Sequence, residues 1–270
     1  MPRAAVLGSP ISHSLSPRLH AAAYRLLDID WEYTIVECTA TQFPAFFAAL
    51  DEQWRGLSLT MPLKEVVLDV VPDVSEVARL VRSANTVYRA GVEQAWRATN
   101  TDISVIENAV RELGVGTVGT ARVLGAGATA RSAVAAIAGL GGTSVVIHAR
   151  RVEAAEETAA VARSFGLQAS VSDLQPVAGD CDLLVSTLPA DIAAPWTVVA
   201  GADLATALLD ASYHPWPTPL ADAWNRCGAP VASGRDMLVW QAVGQVALMT
   251  GMDFDDVPIV AAMRNALSAQ

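Results

Sequence analysis

The chain has 270 residues, 52% of them hydrophobic and only 17% charged; that balance supports a sizeable core, excludes intrinsic disorder and suits one large domain or two modest ones. No apolar run approaches the ~18 residues of a membrane span, and the opening residues 1–8 lack the apolar stretch of a secretory signal. With 18 basic against 28 acidic residues and a net charge of −10, no basic stripe is present to track nucleic-acid phosphates.

In chain order, residues 4–7 read as a strand, and Ser16-Pro17 opens a helix to about residue 27, serine as cap and proline first inside. Residues 31–36 alternate like a strand, 41–50 form a short apolar helix, and 56–60 form a strand stopped by Pro62. Two strands, 86–87 and 94–96, are joined by a turn at Ala90-Gly91. Helical spacing returns over residues 103–113, followed by a glycine-rich connection at 114–119. A new rhythm then begins, with a strand at 121–124, a helix to about 140, a strand at 144–147, a helix at 152–165 and a strand at 168–171. Buried strands at 182–186 and 204–209 complete the pattern of a doubly wound nucleotide domain. Long helices at 237–250 and 255–267 close the chain. The expected class is α/β in two domains. Residues 1–100 and 235–270 form a substrate-binding or catalytic domain, made discontinuous by helices that return to it, and residues 101–234 form a Rossmann domain.

Cys38, Cys181 and Cys227 lie far apart and, with four scattered histidines, have no metal-ligand spacing, so a reduced, cytoplasmic, metal-free protein is expected. Of the 18 basic residues, 17 are arginine and one, Lys64, is lysine. Compositional bias toward arginine accounts for the 17. Lysine, unlike arginine, can release a proton near neutral pH when its surroundings help, so Lys64 is a candidate for proton chemistry.

Gly125-Ala126-Gly127-Ala128-Thr129-Ala130 follows a strand and opens a helix. In that context Gly125 permits a tight turn, Gly127 lets the backbone approach a pyrophosphate, and Ala130 allows close helix–strand packing. The helix N-terminus adds free amides for the phosphates. Where an NAD-binding domain carries an acid, this chain has His148-Ala149-Arg150-Arg151. Two guanidiniums at that point suit a 2′-phosphate, and NADP is the expected cofactor. Arginines at a helix start are otherwise disfavoured by the dipole.

Before the nucleotide domain come four polar clusters: Ser12 to Ser16, Ser58 to Lys64, Ser83 to Thr86, and Thr99 to Asp102. Singly, each is ordinary loop or cap chemistry. Together they surround one lysine and one carboxylate with hydroxyls and amides. Dehydrogenation of an alcohol needs that set, a group to exchange the hydroxyl proton and hydrogen bonds to fix the ring.

The motifs GSPISHSLSP, SLTMPLK, SANT, NTD, GAGATA, LLVSTLP, YHPWPTP and GRDMLVWQ follow one another along nearly the whole chain, and in that order they resemble the shikimate dehydrogenase family. Those NADP-dependent enzymes interconvert shikimate and 3-dehydroshikimate in aromatic amino-acid (chorismate) biosynthesis. The resemblance implies that Ser14 and Ser16 bind the substrate carboxylate with help from Tyr213, and that Lys64 and Asp102 are the catalytic pair. It implies that Thr60, Asn85 and Gln241 hold ring hydroxyls. Gly125, Gly127 and Ala128, with Ala126 between them, would form the diphosphate loop, Arg150 would meet the adenosine phosphate with Arg151 as the second guanidinium read above, and Thr187, Leu188 and Met237 would line the nicotinamide site.

Some positions depart from the family's common pattern. Ser58 stands where asparagine is usual, so a shorter or water-mediated substrate contact is expected there. Ile103 replaces a glycine, Arg235-Asp236 an apolar pair, and Ala149 and Arg151 an asparagine and a threonine. The implied partner is a small molecule, with no nucleic acid or membrane, and the implied state a monomer or homodimer. Two rivals share the scaffold: a quinate or aminoshikimate dehydrogenase, and a non-catalytic NADP-binding regulator, which would predict a broken lysine–aspartate pair. Where quinate is accepted, threonine often replaces one carboxylate serine; here both are serine.

Overall fold

A computed structural model describes residues 1–90, 92–201 and 205–268. Gly91, expected in a turn, and Leu204, expected at a strand start, lie outside the described residues. The chain divides into two compact units, Met1–Thr101 with Leu238–Gln270, and Asp102–Met237.

The first unit runs β1 (Arg3–Gly8), α1 (Ser16–Leu26), β2 (Glu32–Glu37), α2 (Phe43–Ala48), β3 (Trp54–Leu59), α3 (Leu63–Val70), β4 (Asp73–Val74), α4 (Glu76–Leu80), β5 (Thr86–Ala90) and β6 (Ala95–Thr99). Its sheet has the order β2-β1-β3-β5-β6-β4. β1 lies parallel to β2 and β3, and β5 antiparallel to β3 and β6. The register pairs Leu7 with Leu59, Ser58 with Thr86, and Thr86 with Thr99. Hence the ends of β1, β3 and β6 and the start of β5 share one edge of the sheet. Side chains alternate across a strand, and β3 shows the consequence. Leu57 and Leu59 enter a core with Ala5, Leu7, Phe43, Leu63 and Val67, while Ser58 points to the other face.

One local expectation changes. Ser16 is not the cap of α1 but its first residue, with Leu15 in the cap position and Pro17 in the first turn. The hydroxyl nearest the helix start belongs to Ser14, whose Oγ accepts from the Ser16 amide at 3.3 Å.

The second unit runs α5 (Asp102–Glu112), β7 (Thr120–Leu124), α6 (Ala128–Gly139), β8 (Ser144–His148), α7 (Val152–Ser164), β9 (Gln168–Ser172), β10 (Leu183–Ser186), α8 (Ala190–Ala193) with a 3-10 turn (Ala194–Val199), β11 (Ala207–Asp210), α9 (Pro219–Arg226) and β12 (Val231–Ser233). Its six strands are all parallel, in the order β12-β11-β10-β7-β8-β9. Helices on both faces of a parallel sheet bury it, so β10 reads LLVS with every residue buried. At Gly139 α6 passes close to α5, and a Cβ there would strike Glu107.

α10 (Gly234–Thr250) and α11 (Asp256–Ser268) end the chain. The unusual Asp236 is explained by the start of α10. Its Oδ2 accepts from Ser233 N at 3.0 Å and Ser233 Oγ at 2.7 Å, while Ser233 Oγ accepts from Asp236 N at 3.3 Å. This reciprocal box satisfies amides that the helix leaves free. In the first unit, Leu19, Ala23 and Tyr24 of α1 pack with Val239, Val243 and Val246 of α10 and Ile259 and Met263 of α11. Among the described residues, no helix is long and apolar enough to cross a membrane.

Candidate active site

In the first unit the polar clusters converge on the shared sheet edge. The loop after β1 carries Ser14, half-buried, and Ser16 opens α1, buried. Thr60 follows β3, and Lys64 sits in the first turn of α3, half-buried, with its carbonyl accepting from Ala84 N at 2.8 Å. That bond anchors the lysine's turn beside Asn85, which precedes β5. Asn85 is fully buried, and its Oδ1 accepts from Thr101 N at 2.9 Å, Thr101 Oγ1 at 3.0 Å and Thr86 Oγ1 at 3.0 Å. Three donors leave the amide one orientation. Asn100 Nδ2 donates to Ser83 O at 2.9 Å, and Asp102, the next residue after Thr101, is buried at the start of α5. Gln241 stands half-buried on α10. Gly8 cannot be larger, because a Cβ there would strike Thr60 and Met61.

Behind this edge lies a buried network that motif reading does not reveal. Gln245, one turn after Gln241 on the same helix face, donates through Nε2 to Asn85 O at 3.3 Å and Thr86 Oγ1 at 3.2 Å. Its Oε1 accepts from Ser58 Oγ at 2.8 Å, and Ser58 Oγ accepts from Tyr33 OH at 2.6 Å. Ser58 is fully buried, and this engagement departs from the expected substrate contact. His20 stacks on Tyr33 with ring centroids 3.7 Å apart. Burial pushes the His20 pKa down to about 3, against a raising contribution from Gln245, and pushes the Tyr24 and Tyr33 hydroxyls up. All three rings are therefore neutral near pH 7.

In the second unit the strand order is 3-2-1-4-5-6 counted from β7, so the switch point lies between β7 and β10, outside their carboxyl ends, where such sheets bind ligands. Gly125, Ala126 and Gly127 form the loop there, and Ala128 opens α6. Gly125 has φ +108, and a Cβ on it would collide with Thr187 Oγ1; the position needs glycine on both counts. Beside Gly127 a Cβ would meet nothing, leaving open space above the helix N-terminus. The geometry fits a dinucleotide diphosphate. Arg150 and Arg151 are exposed after β8, with Arg151 as the cap residue of α7. Buried His148 ends that strand, its Nδ1 3.0 Å from Asp173 O and its ring edge-on to Trp196, and burial lowers its pKa.

Thr187 N and Oγ1 both donate to Leu124 O at 2.9 Å, tying the β10 end to β7. Leu188 O accepts from Ser212 Oγ at 3.2 Å. Asp210, buried at the end of β11, accepts from Ser212 N at 3.1 Å and from Thr218 Oγ1 at 2.6 Å. It thereby pins both ends of the segment that carries Tyr213, half-buried. Desolvation raises the Asp210 pKa. Met237 is buried in the first turns of α10. Among the described residues no group of His, Cys, Asp and Glu is arranged to hold a metal ion.

A Rossmann-type sheet with a glycine loop at its switch point, joined to an α/β unit rich in hydroxyls and amides at one sheet edge, defines a two-unit dinucleotide-dependent oxidoreductase. Comparison with known proteins narrows the class. A family model described as the shikimate dehydrogenase substrate binding domain matches residues 6–87. The shikimate dehydrogenase (NADP(+)) of Thermus thermophilus is 34% identical over 271 residues, covering 99% of each chain; that of Geobacter sulfurreducens is 34% identical, covering 92% of this chain and 90% of its own. The crystal structure of Mycobacterium tuberculosis shikimate dehydrogenase is 38% identical over the whole of both chains, with a TM-score of 0.89. A Thermus thermophilus shikimate 5-dehydrogenase, solved in complex with NADP(H) and shikimate, is 30% identical with a TM-score of 0.80, covering 98% of this chain and all of its own. This chain belongs to the shikimate dehydrogenase family.

Proposed function

We propose that the protein catalyses the reversible NADPH-dependent reduction of 3-dehydroshikimate to shikimate, a step of chorismate biosynthesis, with the first unit holding the substrate and the second the cofactor. One observation carries the assignment of residues. Ser14, Ser16, Thr60, Lys64 and Asn85 all gather at one edge of the first sheet, and the glycine loop, Arg150 and Thr187 all follow carboxyl ends of the second. Such edges are where α/β proteins assemble sites.

When bound, NADP supplies the hydride acceptor or donor. Gly125, Ala126, Gly127 and Ala128 hold its diphosphate, Arg150 and Arg151 its 2′-phosphate, and Thr187, Leu188 and Met237 its nicotinamide end. Ser14 and Ser16 hold the substrate carboxylate with Tyr213, while Thr60, Asn85 and Gln241 fix the ring hydroxyls. Lys64 with Asp102 takes the hydroxyl proton in oxidation and returns it in reduction, where the ammonium also offsets charge on the developing alkoxide. The same reading makes it a cytoplasmic enzyme, monomeric or homodimeric, whose partner is a small molecule.

Absorbance at the NADPH wavelength, with shikimate, quinate or no substrate and NADP or NAD, tests the reading. Turnover with shikimate and NADP, well above every other pairing, is expected. A dominant quinate signal would reassign the substrate, and no signal in any pairing would favour a regulator.

A further inference from the structure

We propose that Tyr33, Ser58 and Gln245 form a positioning relay that fixes the spacing between Ser16 and Asn85, with Gln245 as its central residue. The inference deepens the proposed function and rests on it, since it takes those two residues as opposite ends of the shikimate site.

The path is continuous and each proton in it has one destination. Tyr33 OH donates to Ser58 Oγ, Ser58 Oγ donates to Gln245 Oε1, and the two Nε2 hydrogens of Gln245 go to Asn85 O and Thr86 Oγ1. Thr86 Oγ1 passes the order on to Asn85 Oδ1 at 3.0 Å. At the other end, the Tyr33 ring stacks on His20, which stands one turn along α1 from Ser16. Three elements are thereby tied together: the opening turns of α1, the end of β3 and start of β5, and the middle of α10. His20, stacked on the Tyr33 ring, fixes its plane.

Packing alone does not ask for these groups. The residues around the relay are aliphatic or aromatic (Leu19, Val243, Val246), and replacing both partners of a buried hydrogen bond by apolar groups of like shape is often neutral for stability. What a satisfied buried network adds is a single geometry. Here that geometry sets a hydroxyl at one end of the site and a carboxamide at the other. Ser58 matters for the same reason. A short side chain at the β3 end leaves room for the Gln245 amide to reach between the strands and join the two ends.

The test uses the full-length enzyme with Tyr33→Phe and Ser58→Ala, each of which deletes one hydroxyl, together with the double variant and Gln245→Leu. Shikimate KM, and shikimate affinity by calorimetry, should weaken about 5- to 10-fold in each single hydroxyl variant, as expected for one buried link. The KM for NADP should stay within about 2-fold and kcat within about 3-fold, a split that general loosening of the fold would not produce. The double variant should lose no more than Ser58→Ala alone, because both deletions cut one chain. Gln245→Leu, which removes three bonds, should lose about 100-fold in kcat/KM for shikimate; if it does not fold, the hydroxyl variants decide. A wild-type enzyme active on shikimate with Tyr33→Phe and Ser58→Ala unchanged, or with NADP KM weakened as much as shikimate KM, overturns the relay alone. A wild type that neither binds nor turns over shikimate overturns the proposed function and the relay with it.

Discussion

His20 offers a measurement whose sign is set by its surroundings. The imidazole is fully buried in α1, stacked on Tyr33 and 3.3 Å from Tyr24 OH through Nδ1. The titratable groups facing it are the two tyrosines, both pushed up by burial and therefore neutral. The folded protein keeps His20 uncharged down to about 3, against 6.5 for the free side chain. Because the folded pKa is depressed, the contribution is fully present above pH 6.5 and is lost as pH falls toward 3. At about pH 5 the unfolded chain binds this proton and the folded one does not, which costs about 2 kcal/mol. His20→Phe keeps the ring stack and removes the proton site, at about 1 kcal/mol for the lost Tyr24 contact. Urea unfolding followed by fluorescence and circular dichroism should therefore show a crossing. The variant is the less stable protein by about 1 kcal/mol near neutral pH and the more stable by about 1 kcal/mol near pH 5. Titrations of carboxylates elsewhere act on both proteins and drop out of the difference. A margin that is the same at both pH values would refute the assignment of a buried neutral histidine.

The remaining predictions concern the proposed site. Lys64→Ala should lower turnover at least about 10²-fold with a much smaller change in shikimate affinity, and Lys64→Arg should not restore it, since arginine keeps its proton; near-normal kcat in either variant removes Lys64 from the chemistry. Arg150→Ala should raise the KM for NADP and cut the preference for NADP over NAD about 10- to 100-fold, the worth of charge-assisted bonds to a phosphate; an unchanged preference would move the 2′-phosphate site elsewhere. Gly125→Ala, which combines a φ of +108 with a collision at Thr187, should destabilise by about 1–3 kcal/mol and weaken NADP binding by calorimetry; tight binding would show that the loop is not the diphosphate site.

Most of the fold is legible in the sequence because its signals are local. The rhythm of short apolar strands and helices over residues 121–171 announces a parallel doubly wound sheet, and β7 to β9 with α6 and α7 lie close to where that rhythm places them. The elements without a local signal are the short ones. β4 has two residues and β12 three, and α4 has five; none spans enough periods for a pattern to show. α9 does carry a signal, Thr218-Pro219, a cap hydroxyl followed by proline in the first turn, but its eight residues offer little periodicity to support it. Ser16 misleads in the opposite direction. Serine before proline reads as a cap, yet Ser14 two residues earlier supplies the oxygen, and sequence alone does not tell which of two neighbouring serines turns back to the amide.

The site divides in the same physical way. Residues whose role depends on their own backbone turn, such as Gly125, can be recognised in a window of six. Ser58 and Gln245 are different, because their role exists only once β3 and α10 meet. The bond between them spans 187 positions, and the one from Tyr33 to Ser58 spans 25. Gln241 is legible through its motif, whereas Gln245, one turn on, belongs to no motif. It does leave a physical trace. Around it on α10 stand Ala242, Val243, Val246 and Met249, all buried, and an amide in an apolar stripe must find partners or cost about 1–3 kcal/mol. A polar residue at a core position therefore requires a partner, although the sequence does not say which one. Asn85 and Thr86, fully buried at the start of β5, carry the complementary demand for donors. That the two demands answer each other across 160 positions is what binds the glutamine to the candidate site rather than to the core alone.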